Sequence, residues 1–466
     1  RLLMVTATDK NYELTTEITL GKGNTGGLLL FYDEKAYAGV ASDGKTFTIY
    51  RNGEKTETMP SDYHKHFHLR LLNRANRVIL SASKDGKSWE ELATDIDVSG
   101  LHHNNYGGFY ALRPALLSAG KGRTTFRNFT YRDVTPQEKD MAAYLMVFHQ
   151  DEDHCLHAAI SRDGYTFTAL NDGKPIIAGD TIADQKGIRD PHIYRGPDGG
   201  FYLAMTDLHI YAQRDGYRDT EWERDGKTYG WGNNRGLVLM KSFDLIHWTR
   251  TNIRFDQMSK EFAQIGCAWA PETVYDPVTG RMMIYFTMRF GTEQNRLYYV
   301  YVNQDFNRIE SIPQILFEYP SGASAIDGDI TPIWNEERQK MEYHLFYVAH
   351  ESGSGIKQAV SDRIDGGYRF DPRWIDFEPV ACEAPNVWKR IGEDKWVLMY
   401  DIFGINPHNF GFVETSDFVH FKNLGRFNEG VMKTTNFRSP KHGAVIHLTQ
   451  EEADRLENYW NGKKQK

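Results

Sequence analysis

One type of short apolar strand recurs five times in the second part of the chain, and this repeat limits the fold more than any other feature. The copies are YLMVFH (144–149), FYLAMT (201–206), MMIYFT (282–287), YHLFYV (343–348) and KWVLMY (395–400). Each copy is followed by a further strand and then by a tail that carries an aromatic residue, as in SRDGYTF (161–167). Self-similar units that cannot each bury their own apolar face are typical of propellers and other repeat folds.

Four of these units also begin with a preceding strand: RDPHIYR (189–195), WAPETVYD (269–276), IDGDITPIW (326–334) and EAPNVWK (383–389). The unit at Tyr144 lacks one, and the orphan strand HGAVIHLT (442–449) near the C-terminus can supply it. The repeat therefore predicts a five-bladed β-propeller in which one blade is closed by both ends of the segment.

Residues 1–134 show a different pattern, with many short strands separated by turn signals such as Asn52-Gly53. This pattern predicts an antiparallel, jelly-roll-like β-sandwich. A polar linker follows at 135–140, and the propeller is expected to span 141–466, with a short amphipathic helix in 450–466. The 10 Trp, 26 Tyr and 26 Phe residues suit an all-β chain.

Charge and composition exclude several classes of protein. The net charge is −8, so the chain has no basic excess for nucleic acid. No apolar run is long enough for a transmembrane helix. The three cysteines, Cys155, Cys267 and Cys382, allow one disulfide at most. The chain begins at Arg1 without a signal peptide, which we interpret as a mature or trimmed form.

The residues that open the first strand of each blade should meet at the propeller axis. They are Asp190, Glu272, Asp327, Glu383 and His442. Buried carboxylates are costly to keep charged without partners, so four of them at one axis indicate a functional site. Acids in different environments can divide into a general acid and a general base, as glycoside hydrolysis requires.

RDPHIYR, WAPETVYD, SAIDGDI (324–330), CEAPNVWK (382–389) and KHGAVI (441–446), in this order, resemble glycoside hydrolase family 43. The resemblance implies an inverting glycosidase acting on arabinan, xylan or related plant polysaccharides. It implies that Asp190 is the base, Asp327 the residue that modulates the pKa and orientation of the acid, and Glu383 the general acid. Asp329 is the rival for the modulator role, because residues i and i+2 share a face of a strand. The family pattern usually reads Ile-Asp-Pro or similar here, so Gly328 is a departure from it.

The same resemblance suggests roles for other residues. Glu272 is expected to contact substrate, and Trp269 to form a pocket wall. His442 matches a histidine that faces a hydrated cation, often calcium, in the channel, although no cofactor is required for the chemistry. Trp231 lies in a long aromatic insertion, 211–234, which we expect to wall the substrate entrance.

The sandwich region resembles the accessory sandwich that often follows family 43 propellers. Here it precedes the propeller, so it is either a variant order or part of an upstream module. An α-L-arabinofuranosidase is the favoured activity, with β-xylosidase and galactan-acting enzymes as alternatives. A retaining fructosidase is disfavoured because the region before Arg189 has no Asn-Asp-Pro motif. A non-catalytic glycan-binding propeller is the alternative from another class. A polymeric substrate implies a secreted or periplasmic protein.

Overall fold

The computed structural model describes residues 1–74, 76–351 and 353–462, with Asp95 described without its side chain. The chain separates into two compact units, Arg1–Pro136 and Gln137–Lys466. The predicted polar linker (135–140) spans this division and contains a short 3-10 helix, Glu138–Asp140. Residues 463–466, part of the expected C-terminal tail, lie outside the described residues.

The first unit is an antiparallel sandwich of two sheets. Its elements are β1 (Leu2–Met4), β2 (Asn11–Leu20), β3 (Asn24–Asp33), β4 (Ala36–Ser42), β5 (Thr46–Arg51), β6 (Glu54–Pro60), β7 (His66–Arg74), β8 (Arg77–Ser83), β9 (Glu90–Asp97), α1 (His103–Tyr106), β10 (Arg113–Gly120) and β11 (Thr124–Asp133). The sheet orders are β1-β10-β3-β4-β5-β6 and β11-β2-β7-β8-β9. Alternate residues of β2, including Leu14 and Ile18, are buried in one apolar core shared by both sheets.

The second unit contains five sheets, which we number as blades I to V. Blade I combines β12 (Met141–His149), β13 (Leu156–Ser161), β14 (Thr166–Ala169), β31 (Lys433–Thr434) and β32 (Lys441–Thr449). Blade II consists of β15 (Ile188–Arg195), β16 (Phe201–Asp207), β17 (Gly236–Ser242) and β18 (Thr249–Arg254), and blade III of β19 (Ile265–Asp276), β20 (Arg281–Phe290), β21 (Arg296–Val302) and β22 (Gln314–Phe317). Blade IV consists of β23 (Ala325–Asn335), β24 (Lys340–Ala349), β25 (Gly355–Ser361) and β26 (Arg369–Asp371), and blade V of β27 (Glu383–Lys389), β28 (Trp396–Ile402), β29 (Asn409–Thr415) and β30 (Lys422–Arg426).

Helices are few and short in this unit. The α-helices are α2 (Gly179–Ile182), α3 (Gly226–Tyr229) and α4 (Gln450–Asn461), and further 3-10 turns span Asn171–Gly173, Phe255–Gln257 and Phe262–Gln264. The predicted C-terminal helix is α4, which begins with a capping box between Thr449 and Glu452.

The five blades close into a ring. Strand β32 pairs antiparallel with β12, from Met141 opposite Thr449 to His149 opposite Lys441, and so completes blade I as predicted. The innermost strands contact one another in a cycle, β32 to β15, β19, β23, β27 and back to β32. One apolar cluster lies between each pair of neighbouring blades, and these clusters hold most of the buried aromatic residues. The structure therefore confirms the all-β fold with a five-bladed propeller.

The recurrent tail motif is a structural turn. In blade I the carboxylate of Asp163 accepts hydrogen bonds from the backbone N–H groups of Tyr165 and Thr166, both at 2.7 Å. Asp244 and Asp417 make the equivalent bonds in blades II and V. These aspartates satisfy backbone donors in the turn before the fourth strand of these three blades. The recurrent aspartate of these tails therefore has a structural role in the turn.

The cysteines and the helices bear on two features considered from the sequence, disulfide bonds and membrane spans. Cys155, Cys267 and Cys382 are all free thiols, so packing and hydrogen bonds hold the fold. Within the described residues, no helix has the length and apolar character needed to cross a membrane.

Candidate active site

Every innermost strand of the propeller contains a bulge near its start. The residue at the bulge has a positive φ in each blade: Asp190 (50°), Ala270 (46°), Asp327 (52°), Ala384 (56°) and His442 (39°). The next residue is Pro or Gly in every case, and the pairing register shifts at each of these points. Left-handed backbone is strained for residues with a Cβ atom and is often found at functional sites. We call these five register-equivalent residues the bulge layer.

Hydrogen bonds between blades hold the bulge layer in place. The backbone N–H of Asp190 donates to Nδ1 of His149 at 3.1 Å, and that of Ala270 donates to Oγ1 of Thr206 at 2.8 Å. Asp327 and His442 make equivalent bonds to Thr287 and Asp401, at 3.0 and 3.3 Å. In each case the acceptor lies at the end of the second strand of the preceding blade.

Blade IV is the exception in this ring, because the apolar Val348 occupies the equivalent part of its second strand. Here the N–H of Ala384 donates to Oδ2 of Asp327 at 3.3 Å. Asp327 is thereby hydrogen-bonded to the residue that follows Glu383. This contact gives a physical route by which the predicted modulator can orient the predicted acid.

Asp190 is surrounded by groups that stabilise its negative charge. Its Oδ2 accepts a hydrogen bond from the Thr206 hydroxyl at 2.7 Å, and its Oδ1 lies 3.3 Å from Nδ1 of His442. Burial alone would raise the pKa of Asp190, but His442 and Arg189 hold this pKa well below its usual range. The carboxylate therefore stays ionised, as a group that accepts a proton from water must.

The pKa of Asp327 is shifted in the opposite direction. Burial raises this pKa to about 7, and although His442 lowers it, the neighbouring carboxylates of Glu383 and Asp190 raise it further. Two carboxyl groups of one layer thus have pKa values displaced in opposite directions. Such divergence is typical of sites that separate acid and base roles.

Glu383 lies one residue before the bulge of blade V and contacts a buried lysine. Its Oε1 is 3.2 Å from Nζ of Lys441, and its side chain keeps 22% of its surface exposed. The same lysine lies 3.5 Å from Oδ2 of Asp401, a fully buried carboxylate on β28. Burial raises the pKa of Asp401 to about 7, although Lys441 lowers it.

A second layer of polar residues follows two positions after the bulges: His192, Glu272, Asp329, Asn386 and, in blade I, Ala444. These residues also join neighbouring blades. His192 accepts from the N–H of Thr273 at 3.1 Å, Asp329 from that of Val387 at 2.9 Å, and Asn386 from that of Val445 at 2.9 Å. The second layer is therefore a set of blade-to-blade links.

Two carboxyl groups of the second layer are neighbours. Burial raises the pKa of Glu272 well above its ordinary value, and the charge of Asp329 raises it further. Burial likewise raises the pKa of Asp329 to about 7, although a hydrogen bond with Glu272 opposes this. Oε2 of Glu272 also accepts from the Tyr285 hydroxyl at 2.7 Å. Glu272 and Asp329 are linked by a side-chain hydrogen bond, which requires one of the two carboxyl groups to be protonated.

The five residues that we expected to open the strands together therefore occupy different registers. Asp190, Asp327 and His442 lie at the bulges, Glu383 lies one position earlier, and Glu272 lies two positions later. Glu272 is buried among protein groups in the second layer, beside the rival modulator Asp329. Asp327, and not Asp329, adjoins the strand start that carries Glu383.

The predicted cation site at His442 has a defined protein partner, because Nδ1 of His442 lies 3.3 Å from Oδ1 of Asp190. Burial lowers the pKa of His442, but the charge of Asp190 outweighs burial and raises it above its ordinary value. Among the described residues, the group able to offer three ligand atoms within 4.8 Å of one another is His192, Glu272 and Asp329. Its two carboxylates and imidazole fit a divalent cation in charge and donor type. Calcium at His442 stays a prediction.

Aromatic residues from the long insertion approach the start of β19. The ring of Trp231, which is 60% exposed, lies 5.9 Å from that of Trp269. Trp269 donates from Nε1 to the carbonyl oxygen of Gly232 at 2.9 Å. The guanidinium of Arg289 stacks 4.7 Å from the Trp269 ring and donates to the carbonyl oxygen of Trp231 at 2.7 Å. The insertion is thus fixed to the strand that carries Trp269.

Several residues of this site were missed from the sequence. Arg189 and Lys441 immediately precede Asp190 and His442, so their position next to a motif was an available signal. His149, Asp401 and Asp151 lie at or just after second strands that we interpreted as apolar. Asp151 binds Nη1 of Arg189 at 2.5 Å, a pairing that only the tertiary structure reveals.

Comparison with known families gives the class of the chain. Residues 139–454 match the profile of the glycosyl hydrolase 43-related family, described as "Probable glycosyl hydrolase domain". This match covers most of the chain and the whole ring of blades. The chain therefore belongs to this family of glycosidases, as the motifs predicted.

Individual relatives are more distant. A curated alpha-L-arabinofuranosidase of Bifidobacterium longum is 25% identical over 193 residues, which are 39% of this chain and 16% of that protein. The chain thus matches about one sixth of the length of this relative. Among solved structures, an endo-arabinase from Bacteroides thetaiotaomicron is 14% identical, with a TM-score of 0.42 over 58% of this chain and 88% of that one. An alpha-L-arabinofuranosidase from Clostridium thermocellum is 12% identical, with a TM-score of 0.39 over 58% and 82%.

Proposed function

We propose that the protein is an inverting glycosidase that removes α-L-arabinofuranosyl units from plant cell-wall polysaccharide or its oligosaccharides. The observation that carries the proposal is the bulge layer. It contains an ionised carboxylate, Asp190, and a second carboxyl group, Asp327, and Glu383 immediately precedes its member in blade V. Family membership supports the hydrolytic chemistry, and the roles of the three residues follow the resemblance of their motifs.

In this mechanism Asp190 accepts a proton from a water molecule that attacks the anomeric carbon. Glu383 gives its proton to the glycosidic oxygen, and the bond between that oxygen and the anomeric carbon breaks. Attack by water opposite the leaving group inverts the configuration at this carbon. Asp327, hydrogen-bonded to the N–H of Ala384, holds the strand start that carries Glu383.

Two tryptophans are the proposed contacts to the sugar chain. Trp231 is largely exposed, and its ring contacts the rings of Trp222 and Trp269. Trp269 is partly buried, and its ring is held by Arg289 and by a hydrogen bond to the carbonyl oxygen of Gly232. Aromatic faces that are fixed in advance bind sugar rings with little loss of side-chain freedom. Trp231→Ala is expected to raise KM for a polysaccharide more than KM for a small aryl glycoside.

The choice of arabinose is supported by the name of the Bifidobacterium longum relative, within the limited segment that it shares with this chain. Xylose and galactose are the alternative outcomes of the same chemistry. A polymeric plant substrate also leads us to expect a secreted or periplasmic enzyme.

A substrate screen tests the proposal. The wild-type enzyme is incubated with arabinan, arabinoxylan, arabinogalactan and the aryl glycosides of arabinofuranose, xylose and galactose, and the released monosaccharide is identified. Arabinose is the expected product. Release of xylose or galactose alone would overturn the sugar assignment. No cleavage of any substrate, together with binding to a polysaccharide, would show a glycan-binding propeller.

Glu383→Ala provides the matched mechanistic test. It should lose about 100-fold or more in kcat on natural linkages and much less on aryl glycosides with good leaving groups, because these need little acid assistance. An equal loss on both kinds of substrate would contradict the role of Glu383.

A further inference from the structure

Lys441 is a buried cation that the proposed mechanism does not yet use. It lies one residue before the bulge of blade I, and its side chain is only 5% exposed. Its Nζ is 3.2 Å from Oε1 of Glu383 on blade V and 3.5 Å from Oδ2 of Asp401 on the same blade. The ammonium group therefore bridges the proposed acid and a second carboxylate.

Asp401 fixes the position of this lysine. Its side chain is fully buried at the end of β28, where Oδ2 also accepts the N–H of His442 at 3.3 Å. Its other oxygen, Oδ1, has no hydrogen-bond partner within the described residues. A buried carboxylate with one unpaired oxygen needs a nearby positive charge, and Lys441 supplies it. Asp401 thus holds Nζ within reach of Glu383.

We propose that Lys441 is a positioning residue for the general acid, and that Asp401 is its anchor. The inference rests on the proposed function, because it takes Glu383 as the proton donor. Glu383 gives its proton to the glycosidic oxygen as the bond to the anomeric carbon breaks, while the attacking water gives a proton to Asp190. The carboxylate that remains on Glu383 faces Nζ of Lys441. The ammonium orients this carboxyl group and stabilises the charge that develops on it.

Leaving-group dependence separates this role from a structural one. We would measure kcat and KM for wild type, Lys441→Met, Lys441→Arg and Asp401→Asn on a series of aryl arabinofuranosides and on an arabino-oligosaccharide. Lys441→Met should lose about tenfold or more in kcat on the poorest leaving groups and less than about threefold on the best, with KM nearly unchanged. Lys441→Arg, which keeps the charge, should restore most of the rate. Asp401→Asn should show the same pattern with a smaller loss.

A double variant tests the link between the two residues. If Asp401 acts through Lys441, the variant Lys441→Met with Asp401→Asn loses no more rate than Lys441→Met alone. If the loss of kcat in the double variant equals the product of the losses in the two single variants, Asp401 acts independently of Lys441, and the anchor role is overturned.

Lys241 offers a matched control for removing a buried lysine. Its Nζ is 2.8 Å from Oδ2 of Asp198, and both side chains are buried on blade II. Lys241→Met should lower Tm while leaving the leaving-group dependence of kcat as in wild type. If Lys441→Met is too unstable to purify, Asp401→Asn decides the question by the same dependence, with Lys441→Arg as the variant that keeps the charge.

The outcomes separate this inference from the proposed function. A wild-type enzyme that cleaves no glycoside overturns both. An active wild type whose Lys441→Met variant loses rate equally on all leaving groups, or changes only KM, overturns the role of Lys441 and leaves the proposed function standing.

Discussion

Nδ1 of His442 lies 3.3 Å from Oδ1 of Asp190, so the histidine of blade I contacts the proposed base on blade II. The Thr206 hydroxyl binds the other oxygen of the same carboxylate at 2.7 Å. Both contacts favour the ionised form of Asp190, and one of them joins strands that are far apart in the sequence. The ring closure of the propeller therefore brings His442 to the proposed base.

Asp190→Asn tests the base directly. The amide keeps the shape of the side chain and can still accept from Thr206, but it cannot take a proton from water. We expect kcat to fall by about 100-fold or more while Tm changes little. A purified, folded variant that keeps more than about one tenth of the wild-type kcat would contradict the assignment.

Asp327 and Asp329 form a matched pair for the modulator role, because they lie two residues apart in adjacent layers. Asp327→Asn should reduce kcat by about tenfold or more, since it changes the charge beside Ala384 and Glu383. Asp329→Asn should mainly affect Tm, since Asp329 accepts the N–H of Val387 and lies beside Glu272. Measured kcat and Tm for both variants decide the matter, and the reverse pattern would assign the modulator to Asp329.

Asp207 predicts how stability depends on pH. Burial raises its pKa to about 7, although hydrogen bonds from the N–H groups of Gln185 and Asp184 lower it. A carboxyl group whose pKa is raised in the folded state favours folding below its unfolded pKa, near 4, and loses this contribution as the pH rises to about 7. The contribution is on the order of a few kcal/mol.

Asp207→Asn removes this titration. The Tm of the variant minus the Tm of wild type should therefore increase between pH 4.5 and pH 7.5. Thermal unfolding at several pH values provides the measurement. A difference that stays constant over this range would show that Asp207 is ionised throughout.

Calcium binding is tested by chelation and metal analysis. If the channel holds calcium, removal with EDTA should lower Tm by about 2 °C or more, and added calcium should restore it. An effect that His442→Ala abolishes assigns the ion to the bulge layer, whereas one that Glu272→Gln abolishes assigns it to the second layer. Protein that contains no calcium and shows no change in Tm would contradict a channel cation.

The sequence predicted the fold well because its signals are local and repeated. The apolar strands at Tyr144, Phe201 and their equivalents mark each blade, and the orphan strand 442–449 follows from the count of strands. The layer that each axial residue occupies along the propeller axis was not predictable, because the bulges change the strand register at Asp190, Asp327 and His442. Glu272 was grouped with them although it lies in the second layer.

The pairing of buried charged side chains could not be predicted from the sequence either. The contacts of Lys441 with Glu383 and Asp401 join residues separated by 58 and 40 positions, and no periodic pattern encodes them. Motifs predicted which carboxylates gather at the axis. Only the tertiary structure shows which cations stabilise them.

The configuration of the first-formed sugar tests the central claim most directly. Proton NMR, recorded before the product mutarotates, distinguishes the two anomers released from an aryl α-L-arabinofuranoside. Direct attack by the water that Asp190 activates predicts that the β anomer forms first. First appearance of the α anomer would mean retention of configuration and would contradict the mechanism proposed for Asp190 and Glu383.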